Sequence, residues 1–285
     1  GWVDSQVFDH TSVIRFLERR FGVIEPNIGP WRRAIAGDLT SALDFAGHDD
    51  AHVALPDTRD FIARVDATAA LPPPQRPAQQ ALPLQEPGQR PARALPYDFD
   101  VRLQAGAQGP TLRMVNRGAA GVALNAYADG GSAGPWFYTV AAGSELQDTR
   151  AWRGAAADAG YALRVHGPNG FLREFHGDGV ADAGLQAEAD YEAATQCLLL
   201  ELRNAGTQAC RLRVRDGYRG GAEQMQELAA GARQVLRFPL QAQHHWYDLE
   251  IASEAMPQWR RRLAGHVETG RPSMSDPAIG RVVAG

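Results

Sequence analysis

The C-terminal two thirds of the chain repeat at a spacing of 88 residues, and a duplication of that length constrains the fold more than any other feature. The first copy reads Thr111-Leu112-Arg113-Met114-Val115-Asn116-Arg117-Gly118, then Val122-Ala123-Leu124-Asn125-Ala126. The second reads Leu199-Leu200-Glu201-Leu202-Arg203-Asn204-Ala205-Gly206, then Cys210-Arg211-Leu212-Arg213-Val214. In each, an Asn-x-Gly turn separates two alternating runs. Side chains alternate between faces along a strand, so the inward sets are Leu112, Met114, Val122, Leu124 and Leu200, Leu202, Cys210, Leu212. Downstream, Ala141-Ala142-Gly143 matches Ala229-Ala230-Gly231 as a tight turn, and the strand starting at Tyr161 parallels one starting at Tyr247. Short strands with turn signals at these intervals predict a mainly β fold of two small antiparallel β-sandwich domains in tandem.

From Gly1 to about Phe45 the pattern is helical, and nine of the eighteen prolines crowd between Pro56 and Pro96. Proline removes backbone donors and blocks helix continuation, so this stretch is expected as an extended, semi-stiff linker. The resulting map is a helical segment over 1–50, a Pro-rich linker over 51–96, and β-sandwiches over 97–182 and 185–275. Opening on Gly1 within a structured motif, the sequence is expected to begin inside a longer protein. The 29 basic and 33 acidic residues leave no positive excess for nucleic acid. No run approaches the roughly 18 apolar residues of a transmembrane segment. No signal peptide pattern is present. If Asn204-Ala205-Gly206 closes a hairpin, Cys197 and Cys210 lie apart on it and on opposite faces, so no disulfide is expected and the cysteines leave the compartment open.

Chemistry-bearing motifs are sparse. Between Phe8 and Gly22, the apolar Val13, Ile14, Leu17 and Phe21 recur at helical spacing, with Asp9 or Thr11 to cap the start and Gly22 to end it. His10 then falls at a helix N-terminus, where backbone donors suit a phosphate or carboxylate and where an Asp-His pair is an ordinary metal-ligand type; a plain helix cap uses the same residues. His48-Asp49-Asp50-Ala51-His52 has metal-like composition but no scaffold, and reads as a solvated loop. His244-His245-Trp246-Tyr247 is expected within a strand that sends the two histidines to opposite faces. Pro135-Trp136-Phe137-Tyr138 reads as sandwich core rather than a lipid-facing groove, and Arg260-Arg261-Arg262 as a solvated edge. Asp38 and Asp44 read as surface or capping groups.

The run Asp9-His10-Thr11-Ser12-Val13, with Arg15-Phe16-Leu17-Glu18, Glu25-Pro26-Asn27-Ile28, Trp31-Arg32-Arg33 and Gly37-Asp38-Leu39-Thr40-Ser41-Ala42-Leu43-Asp44-Phe45, closely resembles the bacterial phosphocholine-specific phospholipase C family. The resemblance covers the whole chain. It implies that residues 1–50 end an α/β catalytic domain like that of the alkaline phosphatase superfamily, and that the two copies are repeated C-terminal β-domains. It further implies that the whole enzyme hydrolyses phosphatidylcholine or sphingomyelin to phosphocholine and diacylglycerol or ceramide, in a secreted or periplasmic location. A phospholipid surface is then the partner, with a protein partner open to the β-domains. By the same resemblance Asp9 and His10 are the candidate catalytic residues, and His10 is the candidate ligand of a divalent metal. The nucleophile and most ligands lie upstream, so this chain alone is expected to be inactive. Two alternatives stand beside this: a lipid- or glycan-surface binding module without catalysis, and the accessory part of an acid phosphatase-like enzyme.

Overall fold

The computed structural model describes residues 1–47, 54–80, 86–104, 109–128, 134–150, 160–178 and 184–279. Among the described residues three α-helices come first: α1 (His10–Phe21), α2 (Pro30–Ile35) and α3 (Phe61–Thr68). The first copy supplies β1 (Pro91–Ala92), β2 (Phe99–Gln104), β3 (Thr111–Asn116), β4 (Val122–Ala128), β5 (Trp136–Val140), β6 (Ser144–Thr149), β7 (Tyr161–His166) and β8 (Leu172–Gly177). The second supplies β9 (Leu185–Glu192), β10 (Cys197–Asn204), β11 (Cys210–Asp216), β12 (Ala222–Leu228), β13 (Arg233–Pro239), β14 (Trp246–Ser253), β15 (Arg260–His266) and β16 (Ser273–Met274). The fold is mainly β.

In each copy a three-stranded antiparallel sheet, β2-β3-β6 or β13-β10-β9, faces half of one eight-stranded sheet of order β12-β11-β14-β15-β8-β7-β4-β5. Val101, Leu112 and Met114 pack against Val122, Leu124, Leu163 and Val165 in the first core. Leu200 and Leu202 pack against Leu212, Val214, Leu249 and Ile251 in the second. Burying each such side chain contributes about 1.5–3 kcal/mol, which makes these cores the main stabilising term. The expected inward residues are all buried except Cys210, which is half-buried.

The Asn-x-Gly turns are not hairpins. β3 pairs with β2 and β6, whereas β4 pairs with β5 and β7, so the turn carries the chain across the core from one sheet to the other. The asparagine explains why. Asn116 Nδ2 donates to the carbonyls of Ala120, Val140 and Ala141 at 2.9, 3.0 and 3.2 Å, fastening this corner to the second corner at Ala141-Ala142-Gly143. Asn204 repeats the arrangement on Gln208, Leu228 and Ala229 at 2.8, 3.3 and 3.2 Å. Gly118 is required at the first corner, since a Cβ there would lie 2.6 Å from the Asp98 nitrogen and 2.7 Å from the Pro96 oxygen. The two cysteines are free and belong to different sheets.

The copies are joined edge to edge by antiparallel pairing of β8 with β15, from Leu172 opposite Ala264 to His176 opposite Arg260. This places Arg260-Arg261-Arg262 mid-sheet, not on a solvated edge. Arg261 is buried, with its guanidinium 4.6 Å from the Trp259 ring centre, and donates to the Tyr161 hydroxyl at 2.5 Å. Arg173, at the same position of the first copy, donates to the Tyr247 hydroxyl of the second at 2.9 Å. Each copy therefore places a buried arginine on the other's tyrosine.

The N-terminal segment docks on the first sandwich. Trp31 Nε1 donates to Thr139 Oγ1 at 2.8 Å, and the Gly121 N–H donates to the Ala34 carbonyl at 2.9 Å. Val3 bridges Ala92 of β1, accepting from the Arg93 N–H and donating to the Pro91 carbonyl, each at 2.8 Å. The stretch read as an extended spacer differs from that expectation: it contains α3, none of whose residues is buried, and its far end returns to Val3.

Candidate functional site

Asp9 and His10 open α1 as a capping box. Asp9 Oδ1 accepts from the Thr11 N–H at 2.8 Å and its hydroxyl at 2.6 Å, while the Asp9 N–H donates to Ser12 Oγ at 3.0 Å. The second oxygen is ion-paired with Arg32. The bonds from Thr11, first of all its hydroxyl, hold the Asp9 carboxyl below its ordinary range. Both oxygens are thus engaged in holding the helix and tying α1 to α2. His10 is exposed beside it, and its imidazole has no hydrogen-bond partner among the described residues. The apolar residues of α1 do not face a core: Val13, Ile14, Leu17 and Phe21 are 55%, 41%, 47% and 67% exposed. Glu18, bonded to Arg33 at 2.8 and 3.0 Å, locks the end of α1 to α2.

The remaining motifs divide. His48 to His52 lies outside the described residues. His244 and His245 do not stand in a strand; both have positive φ, of 50° and 68°, in the turn before Trp246 opens β14. The His245 imidazole is pushed down first by burial and then by His266 and His244. Trp136 and Tyr138 pack on the first core, whereas Phe137 points outward. Asp38 accepts from the Thr40 N–H at 3.1 Å and Asp44 from the Ala46 and Gly47 N–H groups at 3.0 and 3.1 Å, each bonding the backbone of its own turn. Among the described residues no three His, Cys, Asp or Glu side chains converge as a metal site.

A cleft of about 280 Å³ lies between the sandwiches. Its floor is Arg173, which is 3% exposed. The guanidinium bonds to Asp100 Oδ1 at 3.0 and 3.2 Å and sits 4.2 Å from the Phe171 ring centre. One wall carries Glu268, whose Oε1 accepts from Asn169 Nδ2 at 2.8 Å and faces His266 Nδ1 at 2.9 Å. His266 Nε2 in turn faces the His244 carbonyl at 3.0 Å. Tyr97, Phe99 and Tyr191 supply aromatic surface, and Asp98 and Asp190 further carboxylates. The polar lining is thus made of carboxylates, arginines, tyrosines, an imidazole and an amide. Its one legible trace in the sequence is the arginine recurring at 173 and 261, at strand positions that alternation turns inward.

A model of the "Bacterial phospholipase C, C-terminal domain" matches residues 91–178 and 185–266, one match on each copy. The chain is 43% identical to the non-hemolytic phospholipase C of Pseudomonas aeruginosa, over 98% of its own length and 42% of that protein's. It is 43% identical to the non-hemolytic phospholipase C of Burkholderia pseudomallei, over 98% and 41% of the two lengths. Its identity to the hemolytic phospholipase C of Pseudomonas aeruginosa is 38%, over 98% and 43%. The chain spans about two fifths of the length of these relatives.

Proposed function

Because the chain belongs to the bacterial phospholipase C family, its two copies each matching that family's C-terminal domain, we propose that it serves as the C-terminal portion of a phospholipase C. The whole enzyme would hydrolyse phosphatidylcholine or sphingomyelin to phosphocholine and diacylglycerol or ceramide at a phospholipid surface, in a secreted or periplasmic setting. The observation that carries this reading is 38–43% identity to three phospholipases C over 98% of the chain.

The exposed apolar stripe of α1 supports it, since a helix with four large apolar side chains turned outward is suited to packing against a further body. Metal-assisted phosphodiester hydrolysis needs a nucleophile, several ligands and charge stabilisation for the equatorial oxygens. Asp9 does not fit such a ligand set, because both of its oxygens are engaged in the cap and the Arg32 pair. His10 fits as one edge of it, exposed and unpartnered, and is this chain's proposed contribution to a divalent metal. The sandwiches are accessory in this reading, with a protein partner open to them.

The test joins this chain to the catalytic portion of the non-hemolytic Pseudomonas aeruginosa relative and measures phosphocholine release from phosphatidylcholine vesicles. Turnover by the folded fusion and none by the chain alone is the expected result. A folded fusion without turnover, or turnover by the chain alone, overturns the assignment.

A further inference from the structure

We propose that the first sandwich, and not the second, positions His10, so that one of two otherwise matching β-domains is a working part of the active centre; this rests on the role of His10 proposed above. The two copies differ where the N-terminal segment docks. β4 and β5 of the first correspond to β11 and β12 of the second, 88 residues on. In the second, Arg211 and Glu227 stand opposite each other, both exposed, and are bonded at 2.7 Å. In the first, the same two positions are Ala123 and Thr139, again opposite each other. The Trp31 indole of α2 reaches this shortened pair, Nε1 donating to Thr139 Oγ1 at 2.8 Å. A third difference lies just before β4. Gly121 is buried, and a Cβ on it would lie 2.9 Å from the Ala34 carbonyl oxygen and 3.1 Å from Ile35 Cδ1 of α2. Its counterpart in the second copy is Ala209, which is exposed. Each of the three changes in the first copy removes bulk where α2 sits.

The seat of α2 is passed on to α1. Ile35 is buried in α2, whereas α1 buries only Ser12, so α1 is held mainly by the side chains that reach it. Arg32 pairs with Asp9, Arg33 holds Glu18 at 2.8 and 3.0 Å, and Arg15 donates to the Ala36 carbonyl. The strand of chain before α1 is tied to the same copy, where the Val7 N–H donates to the Tyr97 hydroxyl at 3.0 Å. His10 is the first residue of α1, next to the Asp9 cap, and therefore stands where these ties meet. Misplacing a catalytic group by 1 Å costs on the order of 10²-fold in rate, so a loosened α2 is felt at His10 without any loss of the sandwich itself. Thr139 and Gly121 are positioning residues in this sense, since neither reaches the site.

The test grafts the second copy's pair onto the first, as Ala123→Arg with Thr139→Glu. Those residues already share this position in a folded copy, so the sandwich is expected to keep its melting midpoint while α2 is unseated. In the chain alone, amide exchange in α1 and α2 is expected to rise about ten-fold, with that of β3 and β10 unchanged. In the fused enzyme described above, kcat for phosphocholine release is expected to fall about ten-fold with KM within about two-fold. Gly121→Val should repeat both effects, Thr139→Ser should keep the unsubstituted values, and Ala209→Val, the mirror change in the second copy, should alter neither. The proposal is overturned if exchange in α1 and α2 is unmoved by both the graft and Gly121→Val, if the folded variants keep their kcat, or if Ala209→Val lowers kcat as far as Gly121→Val does. Absence of turnover already in the unsubstituted fusion is failure of the enzymatic reading, whereas turnover there that the graft leaves untouched is failure of the positioning role alone.

Discussion

Arg102 and Glu188 occupy the same position in the two copies and are bonded to each other, Arg102 Nη1 to Glu188 Oε2 at 2.5 Å. Their equivalence follows from their strand partners, Arg113 and Glu201, which stand one repeat apart. The β8–β15 seam has the same property, since Glu174 lies opposite Arg262, its own counterpart. A local two-fold axis therefore runs through both pairs. Two identical copies would set like charge against like at each point, whereas here opposite charges meet. Glu188→Arg is expected to destabilise the chain by about 1 kcal/mol, and adding Arg102→Glu to restore only part of the loss, since Arg102 also pairs with Asp100 at 3.0 Å. Urea denaturation of the four members of this cycle measures it.

The joined sheet makes the copies unfold together. Leu124→Asp and Leu212→Asp each place a carboxylate in an apolar core at a cost of several kcal/mol. Calorimetry is expected to show one transition, lowered by either substitution. Two transitions, of which each variant loses one, would mean that the β8–β15 pairing carries little coupling.

The corner asparagines should matter more than any exposed polar residue. Asn204→Ala strips three carbonyls and the Gly206 N–H of their partner, and a loss of about 2–3 kcal/mol is expected from denaturant midpoints. Asn116→Ala should match it. Arg213, exposed on β11, should tolerate alanine within about 0.5 kcal/mol.

Acid should open the α1–α2 lock. Hydrogen bonds from Arg33, then the Glu25 N–H, pull the Glu18 carboxyl from 4.5 to about 2. A depressed carboxyl contributes stability that is full above its ordinary value and is lost as pH falls through the folded one, here from 4.5 toward about 2. NMR titration of Glu18 is expected to give the low value, rising toward 4.5 in Arg33→Gln. Amide exchange in α1 should accelerate over the same range.

His10→Ala is expected to leave the melting of this chain unchanged within about 0.5 kcal/mol, because the side chain is exposed and unpartnered. In the fused enzyme it should cut phosphocholine release sharply. Unchanged release would remove His10 from the metal site.

The cores were legible because strand alternation and an 88-residue repeat report the same residues twice. Cys210, only half-buried, was the one inward position less enclosed than its pattern implied. The sheet-crossing turns were not legible, since a hairpin and a corner share the Asn-x-Gly signature and the side-chain bonds of Asn116 and Asn204 decide between them. The burial of Arg261 is not legible, because three successive arginines carry no trace of Tyr161, Phe175 and Trp259, which enclose the middle one. The start of α1 was readable down to its cap, but not the outward turn of its apolar stripe. The cleft draws on residues from Tyr97 to Glu268, a separation no local pattern spans.

Val3 is held on either side of Ala92, so this bridge brings the two ends of the chain segment between them together. Closing a flexible loop costs only about 0.6 kcal/mol more for each doubling of its length. The Pro-rich arc therefore sets no distance between the parts it connects. It can lengthen, shorten or be cut while the Val3–Ala92 bridge stays in place, and variation in the exposed stretch around α3 is nearly free of consequence for the sandwiches.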